Sequence, residues 1–356
     1  MPEAFDRLSP RLAELYSAVL ARELADSPEL APLHDAYTEY ALRDRHLPRP
    51  VLAYFGFHAF ADAVDYSDVD RIGEALIVPQ LLRDVLAIHD DIVDEDLDKF
   101  GAPPLPVALS GAEGRLTRRG KDLALYYGDF LVGVLHRVAS GVPGEAGRSL
   151  VRLIADTLYV NQRGQLAELL AETKPLAETS VDDLLVIGER KAAHYCYSFP
   201  FRVGAVLAGH DGRRIEPVCR VLLKIGTASQ VVDDITGTFP GVVDHDKDTL
   251  GEIANLRRTV PLVLLATGRH SERAAALLAA PTPLPPDDAA RLREELWCGD
   301  VPDRALTLGR GLVDDITTGL ARLDLGRAAA RYLDDLVAYR LRDSLDRFER
   351  AIGRSR

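Results

Sequence analysis

Six acidic residues occupy nine consecutive positions where an apolar segment of helical length ends. They are Asp90, Asp91, Asp94, Glu95, Asp96 and Asp98. If the helix continues through them, Asp90, Asp94 and Asp98 lie above one another on one face. Like charges at this spacing each destabilise a helix by roughly 0.2–0.5 kcal/mol, so a bound cation would explain the cluster. Oxygen ligands without interleaved His or Cys suit a hard ion such as Mg²⁺. The alternative is a solvated acidic helix end.

A second acidic pair, Asp233 and Asp234, follows another apolar helical segment at residues 221–232. Two such helix ends facing each other across a cavity would hold several Mg²⁺ ions bridged by a diphosphate. This arrangement supports departure of diphosphate from an allylic carbon. Metal ions neutralise the charge on the leaving group, and an apolar pocket keeps water away from the carbocation.

The sequence resembles the trans-isoprenyl diphosphate synthases, the polyprenyl synthetase family, over most of its length. Residues 89–101 (HDDIVDEDLDKFG) and 229–237 (SQVVDDITG) are similar to the two aspartate-rich motifs of that family. Smaller landmarks follow in the family's order: Tyr127-Gly128-Asp129, Gly164-Gln165, Lys191, Lys247 and Arg258-Thr259-Val260-Pro261-Leu262. The resemblance implies an isoprenoid-synthase bundle with a central active-site cavity, and a homodimer packed through helices.

The resemblance also implies a role for individual residues. The implied metal ligands are Asp90, Asp91, Asp94, Asp233 and Asp234, and the implied catalytic residues are Asp90, Asp94, Lys191 and Asp233. The residues predicted to bind substrate diphosphate are Arg49, Arg83, Lys99, Lys191, Gln230 and Lys247. Outside the resemblance, a lone lysine is more often a solvated surface group, and a glutamine on a helix is often satisfied by backbone or water.

The sequence departs from the family at both substrate sites. Gly237 stands where the second motif usually has a third aspartate. The family's isopentenyl diphosphate turn, Gly-Gly-Lys-Arg-x-Arg-Pro, matches residues 44–50, where only Arg49 and Pro50 remain. Arg83 replaces the usual His or Gln seven residues before the first motif. Because arginine and lysine are not equivalent in phosphate recognition, the second diphosphate pocket is either rebuilt or abandoned.

Composition supports one large all-α bundle with its ligand site among facing helices. The chain is 47% hydrophobic and 28% charged, and strand-like alternation is hard to find. Its net charge of −12 argues against nucleic acid, but not against a diphosphate carried by Mg²⁺. We expect a cytoplasmic protein, because no apolar signal or membrane-spanning run is present and the three cysteines have no metal-like spacing.

Apolar periodicity places the helices and gives a single domain over residues 1–356. Helices are predicted at residues 8–24, 27–40, 51–64, 113–139, 146–172, 180–208, 212–236, 258–268 and 271–280. Ser67 is the predicted N-cap of the helix that reaches the first acidic cluster, unless Pro79 delays its start to near Gln80. Residues 281–286, PTPLPP, form a loop before further amphipathic helices.

These observations favour a Mg²⁺-dependent prenyltransferase. It would ionise an allylic prenyl diphosphate and condense it head-to-tail with isopentenyl diphosphate. Leu86 and Val85 stand at family positions that floor the product pocket, and they suggest a product of fifteen to twenty carbons. A class I terpene cyclase acting on one prenyl diphosphate is the alternative. A non-catalytic regulatory subunit of a prenyl synthase is a third hypothesis, which retention of the aspartates disfavours.

Overall fold

The computed structural model describes residues 3–43, 46–95, 97–99, 101–111, 114–239 and 249–355. All regular secondary structure in these ranges is helical, which confirms the all-α prediction. The α-helices are α1 (Glu3–Leu24), α2 (Ala31–Ala41), α3 (Pro48–Phe57), α4 (Asp68–Ile72), α5 (Val78–Asp94), α6 (Leu105–Ala108), α7 (Arg118–Ser140), α8 (Gly144–Glu172), α9 (Val181–Gly188), α10 (Phe199–Leu207), α11 (Gly212–Thr238), α12 (Thr249–Ala254), α13 (Val260–Ala266), α14 (Glu272–Leu278), α15 (Pro286–Cys298), α16 (Val301–Leu320), α17 (Arg327–Val337) and α18 (Asp343–Ser355). Two π-helices interrupt them, π1 (Glu189–Ser198) and π2 (Ala338–Arg342).

The helix that carries the first acidic cluster is shorter at both ends than predicted. Ser67 precedes only α4 and makes no side-chain cap bond, so its predicted role as N-cap of the long helix is wrong. Instead α5 begins at Val78, with Pro79 in its first turn, where the missing N–H has no helical partner to lose. At the other end Glu95 turns left-handed, with φ 56°, and ends the helix. Asp98 therefore does not stack on Asp94, and it accepts a hydrogen bond from the Gly101 N–H at 2.9 Å.

The predicted helix at 180–208 is three consecutive helices, because π1 separates α9 from α10. Glycines on both sides let neighbouring helices approach π1 closely. A Cβ at Gly164 of α8 would lie 2.4 Å from the Lys191 backbone nitrogen, and one at Gly226 of α11 would lie 2.5 Å from the Ala193 Cα. The segment with Lys191 is thus held between α8 and α11.

A second close crossing joins α3 to α10. A Cβ at Gly204 would lie 1.8 Å from the Ala53 carbonyl oxygen, and one at Gly56 would lie 2.1 Å from that of Phe201. The predicted helix at 51–64 ends here at Phe57. This crossing holds the first turn of α3 near π1, so that Arg49 donates to the Cys196 Sγ at 3.0 Å.

One connected hydrophobic core extends from α1 to α18, and the C-terminal helices α16 and α18 pack against α11. The predicted proline-rich loop at 281–286 lies between α14 and α15 except for its last residue, because Pro286 is the first residue of α15. The single-domain assignment stays a prediction. Within the described ranges, every helix falls short of the length and apolarity needed to cross a membrane.

Candidate active site

Two elements, α8 and π1, converge on the first acidic cluster of α5. From α8, the Gln165 Nε2 donates to the Asp90 Oδ1 at 2.9 Å. From π1, the Lys191 Nζ lies 3.3 Å from the same oxygen and 2.6 Å from the Glu168 Oε2. The structure therefore brings together Asp90 of α5, Gln165 of α8 and Lys191 of π1, three residues identified from the sequence.

The charges of this cluster perturb one another. Burial opposes ionisation of Asp90, yet the Lys191 ammonium and the Gln165 amide hold its pKa below the usual value. Burial also raises the pKa of Glu168, and the carboxylates of Asp90 and Asp94 add to that increase. The pKa of Lys191 is raised because these carboxylates outweigh its burial. Lys191 is thus a fixed cation between carboxylates.

The two other aspartates of the first motif have different partners. Asp94 accepts a hydrogen bond from the Arg257 guanidinium, which also reaches the Asp94 carbonyl oxygen at 3.3 Å. The Asp91 side chain is fully buried, where it pairs with Lys99 and accepts from the Tyr40 hydroxyl at 3.2 Å. Asp91 and Lys99 therefore form an internal ion pair, and their predicted roles toward metal and diphosphate stay predictions.

The second acidic pair lies near the end of α11. Asp234 accepts from the Gln230 Nε2 at 3.0 Å and from the Val260 N–H at 2.9 Å. Burial raises the pKa of Asp234 to about 7 despite these two donors. Asp233 instead pairs with Arg340 of π2, whose Nη2 lies 3.0 Å from the Asp233 Oδ2.

The helix π1 is the element common to both acidic clusters. On one side, burial raises the pKa of Tyr195, and the charge of Asp90 contributes to that shift. On the other side, Tyr197 hydrogen-bonds to Ser229 of α11 at 2.7 Å. The Asp90 side chain is 28% exposed and that of Asp233 is 45% exposed, so both carboxylates remain accessible.

A group of arginines and aromatic rings lies next to the first cluster. The Arg49 Cζ lies 5.3 Å from the centre of the Tyr195 ring, and the buried Arg49 Nε has no hydrogen-bond partner among the described residues. Arg83 pairs with Asp84 at 3.1 Å and lies over the Tyr40 ring. An arginine nitrogen that is buried without a partner is suited to bind an anion. Of the residues named from the sequence, Asp96 and Lys247 lie outside the described residues.

The donor chemistry fits Mg²⁺ only if a diphosphate shares the ion. Within the described ranges, no three His, Cys, Asp or Glu side chains form a group that could hold a metal ion on their own. Mg²⁺ commonly takes one or two carboxylates and completes its shell with water and substrate phosphates. In the structure, the carboxylates that would bind Mg²⁺ are paired with side-chain cations. Lys191 pairs with Asp90, Arg257 with Asp94 and Arg340 with Asp233.

Four residues of this region were missed by the sequence reasoning: Glu168, Glu252, Arg257 and Arg340. Glu168 had a usable signal, since it lies three positions after Gln165 and therefore on the same helix face. Arg257 directly precedes the recognised segment 258–262. Glu252 and Arg340 carry no local pattern. The Glu252 Oε2 lies only 3.2 Å from where a Cβ at Gly237 would stand, beside the missing third aspartate.

Two surface clefts lie elsewhere in the molecule. One, of about 530 Å³, is lined by residues that include Arg22, Glu74 and Arg137. The other, of about 420 Å³, lies near Arg304 and Asp300. Among the predicted active-site residues that the structure describes, none lines either cleft.

Comparison with known proteins identifies the family. The family model described as polyprenyl synthetase matches residues 32–290. The chain is 27% identical over 236 residues to nonaprenyl diphosphate synthase of Mycobacterium tuberculosis, covering 64% of this chain and 63% of that relative. It is 25% identical over 296 residues to (2E,6E)-farnesyl diphosphate synthase of Mycobacterium bovis, covering 82% of this chain and 77% of the relative.

Solved structures share the fold. The geranylgeranyl pyrophosphate synthase of Corynebacterium glutamicum, complexed with isoprenyl diphosphate and magnesium, superposes with a TM-score of 0.80 at 23% identity, covering 95% of this chain and 99% of that one. A decaprenyl diphosphate synthase from Rhodobacter capsulatus gives a TM-score of 0.74 at 18% identity, covering 95% and 98%. These neighbours confirm the predicted isoprenoid-synthase type of bundle. Since the family model matches most of its residues, the chain belongs to the polyprenyl synthetase family.

Proposed function

We propose that the protein is a Mg²⁺-dependent isoprenyl diphosphate synthase. It ionises an allylic prenyl diphosphate and condenses it head-to-tail with isopentenyl diphosphate. The observation that carries this proposal is the convergence of Asp90, Gln165 and Lys191 from three separate helices. The named relatives, which make nonaprenyl and farnesyl diphosphates, support the same reaction class.

In this proposal each acidic cluster contributes carboxylates to a shared diphosphate. Asp90, Asp94 and Asp233 are the ligands nearest the substrate. Asp91 supports them from a buried position and Asp234 from a partly buried one. Bound Mg²⁺ would neutralise the negative charge that develops on the leaving diphosphate. The Lys191 ammonium moves from Glu168 to a phosphate oxygen of the substrate. The move is favourable because the diphosphate carries more negative charge than the Glu168 carboxylate and lies within reach of the same side chain.

The second substrate, isopentenyl diphosphate, binds through the group of arginines next to the first cluster. Arg49 and Arg83 bind the diphosphate of isopentenyl diphosphate, with Tyr195 packed against the Arg49 guanidinium. The allylic C–O bond breaks, and the double bond of isopentenyl diphosphate attacks the resulting cation to form the new C–C bond. The product cation then loses a proton to the released diphosphate.

The product length and the oligomeric state belong to the same proposal. Val85 and Leu86 are buried apolar residues of moderate size, which supports a product of fifteen to twenty carbons. Exposed apolar side chains on α7 and α8 support a homodimer through these helices. They are Leu125, Tyr126, Tyr159, Leu166, Leu169 and Leu170. The cytoplasmic location stays a prediction.

The proposal is tested by mass analysis of products from geranyl, farnesyl and geranylgeranyl diphosphates, each with and without isopentenyl diphosphate. A longer prenyl diphosphate should appear only when Mg²⁺ and isopentenyl diphosphate are both present. Asp90→Asn should abolish it, whereas Asp98→Asn is a matched control because Asp98 lies beyond the end of α5. A terpene hydrocarbon or alcohol formed without isopentenyl diphosphate would contradict the proposal and favour a cyclase. Activation of a second synthase that survives Asp90→Ala would favour a regulatory subunit.

A further inference from the structure

An arginine from the C-terminal part of the chain lies on the second acidic cluster. The Arg340 Nη2 is 3.0 Å from the Asp233 Oδ2 and 3.3 Å from the Oδ1, although the two residues are 107 positions apart. Arg340 lies on π2, between α17 and α18. Its guanidinium is also near Tyr197 of π1, so it lies between π1 and the end of α11.

This arginine changes the charge of a cluster that already lacks one aspartate. Gly237 contributes no carboxylate, and Arg340 neutralises one of the two that remain on α11. The first cluster is paired with protein cations in the same way, because Lys191 contacts Asp90 and Arg257 contacts Asp94. At the second cluster, the Arg340 guanidinium supplies a positive charge from the protein itself.

The geometry leaves Arg340 able to bind an anion as well. A guanidinium presents five N–H donors in a planar fork, and the bonds to Asp233 use Nη2. The Arg340 side chain is 39% exposed and that of Asp233 is 45% exposed, so an incoming phosphate can reach the pair. An ion pair this exposed is weak because solvent screens it, whereas phosphate oxygens accept bidentate, charge-assisted hydrogen bonds from arginine.

We propose that Arg340 is a diphosphate-binding residue of the active site, held by Asp233 in the free protein and transferred to phosphate oxygens when substrate enters. The inference rests on the proposed function for the identity of the ligand. Arg340 performs part of the charge neutralisation for which the family uses a further carboxylate and its metal ion. When Arg340 leaves, Asp233 becomes available as a ligand at the same moment.

The test measures binding of inorganic diphosphate by isothermal titration calorimetry, in Mg²⁺ and separately in EDTA. Arg340→Gln should weaken binding about tenfold or more in Mg²⁺, because a charge-assisted hydrogen bond is lost. Arg340→Lys should recover part of the affinity. Arg342→Gln is the matched control, since Arg342 lies on the same π-helix but donates to Thr317 at 2.9 Å. Its affinity should stay within about twofold of the wild type.

Asp233→Asn separates a binding role from a structural one. If Arg340 binds diphosphate, this variant releases the guanidinium and should bind diphosphate in EDTA at least as tightly as the wild type. If the ion pair only anchors the C-terminal helices to α11, Asp233→Asn and Arg340→Gln should weaken binding equally. That result, or an unchanged affinity for Arg340→Gln in Mg²⁺, would overturn the proposal. Because no turnover is needed, failure to form a prenyl diphosphate would count against the proposed function alone.

Discussion

Gly164→Ala is expected to damage both stability and catalysis, because Gly164 sets the distance between α8 and π1. The added Cβ would lie 2.4 Å from the Lys191 backbone nitrogen and 2.8 Å from its Cα. Ordinary contact begins near 3.4 Å, so the two backbones must separate by about 1 Å. Both contacts are to backbone atoms, so rotamer changes cannot relieve the clash.

The size of the effect follows from two opposing contributions. Overpacking of a buried helix contact costs up to about 3 kcal/mol, and replacing glycine by alanine inside a helix returns about 1 kcal/mol. The free energy of unfolding should therefore fall by about 2 kcal/mol. A shift of about 1 Å also moves the Lys191 ammonium away from Asp90 and Glu168, and misplacement on that scale can lower kcat about a hundredfold.

Urea denaturation followed by circular dichroism measures the stability, and product formation measures kcat. Gly133→Ala is the matched control, because it also adds a methyl group inside a long helix but meets nothing within 4 Å. It should leave kcat unchanged and raise stability by up to about 1 kcal/mol. If Gly164→Ala is as stable and as active as Gly133→Ala, then close packing of α8 does not position Lys191.

Four further outcomes are expected. Asp84→Ala should lower the free energy of unfolding by about 3–5 kcal/mol, because it leaves the Arg83 guanidinium without its buried carboxylate; the urea midpoint measures this. Burial raises the pKa of Cys219 to about 11, so iodoacetamide at pH 8 should alkylate the exposed Cys298 first and Cys219 only after unfolding. The folded state keeps the Cys219 proton at a pH where the unfolded chain releases it, so stability should fall as pH rises from about 9 to about 11. Leu166→Glu should convert a dimer to a monomer in analytical ultracentrifugation, and a dimer that persists would exclude this surface as the interface.

The carboxylates of the site were predictable because their pattern is local. Asp90 and Asp94 are four residues apart on an apolar helix, so their shared face follows from helical geometry alone. The end of that helix was not predictable to the residue, because acidic side chains do not themselves stop a helix. Glu95 in a left-handed conformation ends it, and Asp98 is therefore lost from the stack.

The π-helix that carries Lys191 has no signal that apolar periodicity can detect. Residues 180–208 appear as one long helix because a change from i−4 to i−5 hydrogen bonds shifts the apolar face only gradually. The glycines that make room for π1 are many residues away from it in the sequence. Gly164 and Gly226 are ordinary helix-interior glycines in the sequence, and only the folded chain shows which backbone each one admits.

Gly237 shows why the loss of a motif residue does not measure the loss of charge at a site. From the sequence, a glycine at that position predicts a second cluster with one carboxylate fewer. In the folded chain, the Glu252 carboxylate of α12 lies 3.2 Å from the position of the missing Cβ, and Arg340 of π2 lies on Asp233. A comparison of motif positions along the sequence cannot detect such substitutes. The replacing groups come from other helices and occupy the same space, but they stand at unrelated positions in the sequence. The electrostatics that a diphosphate meets depend on where charges lie in space, so the divergent second motif is weak evidence that ionisation has been abandoned.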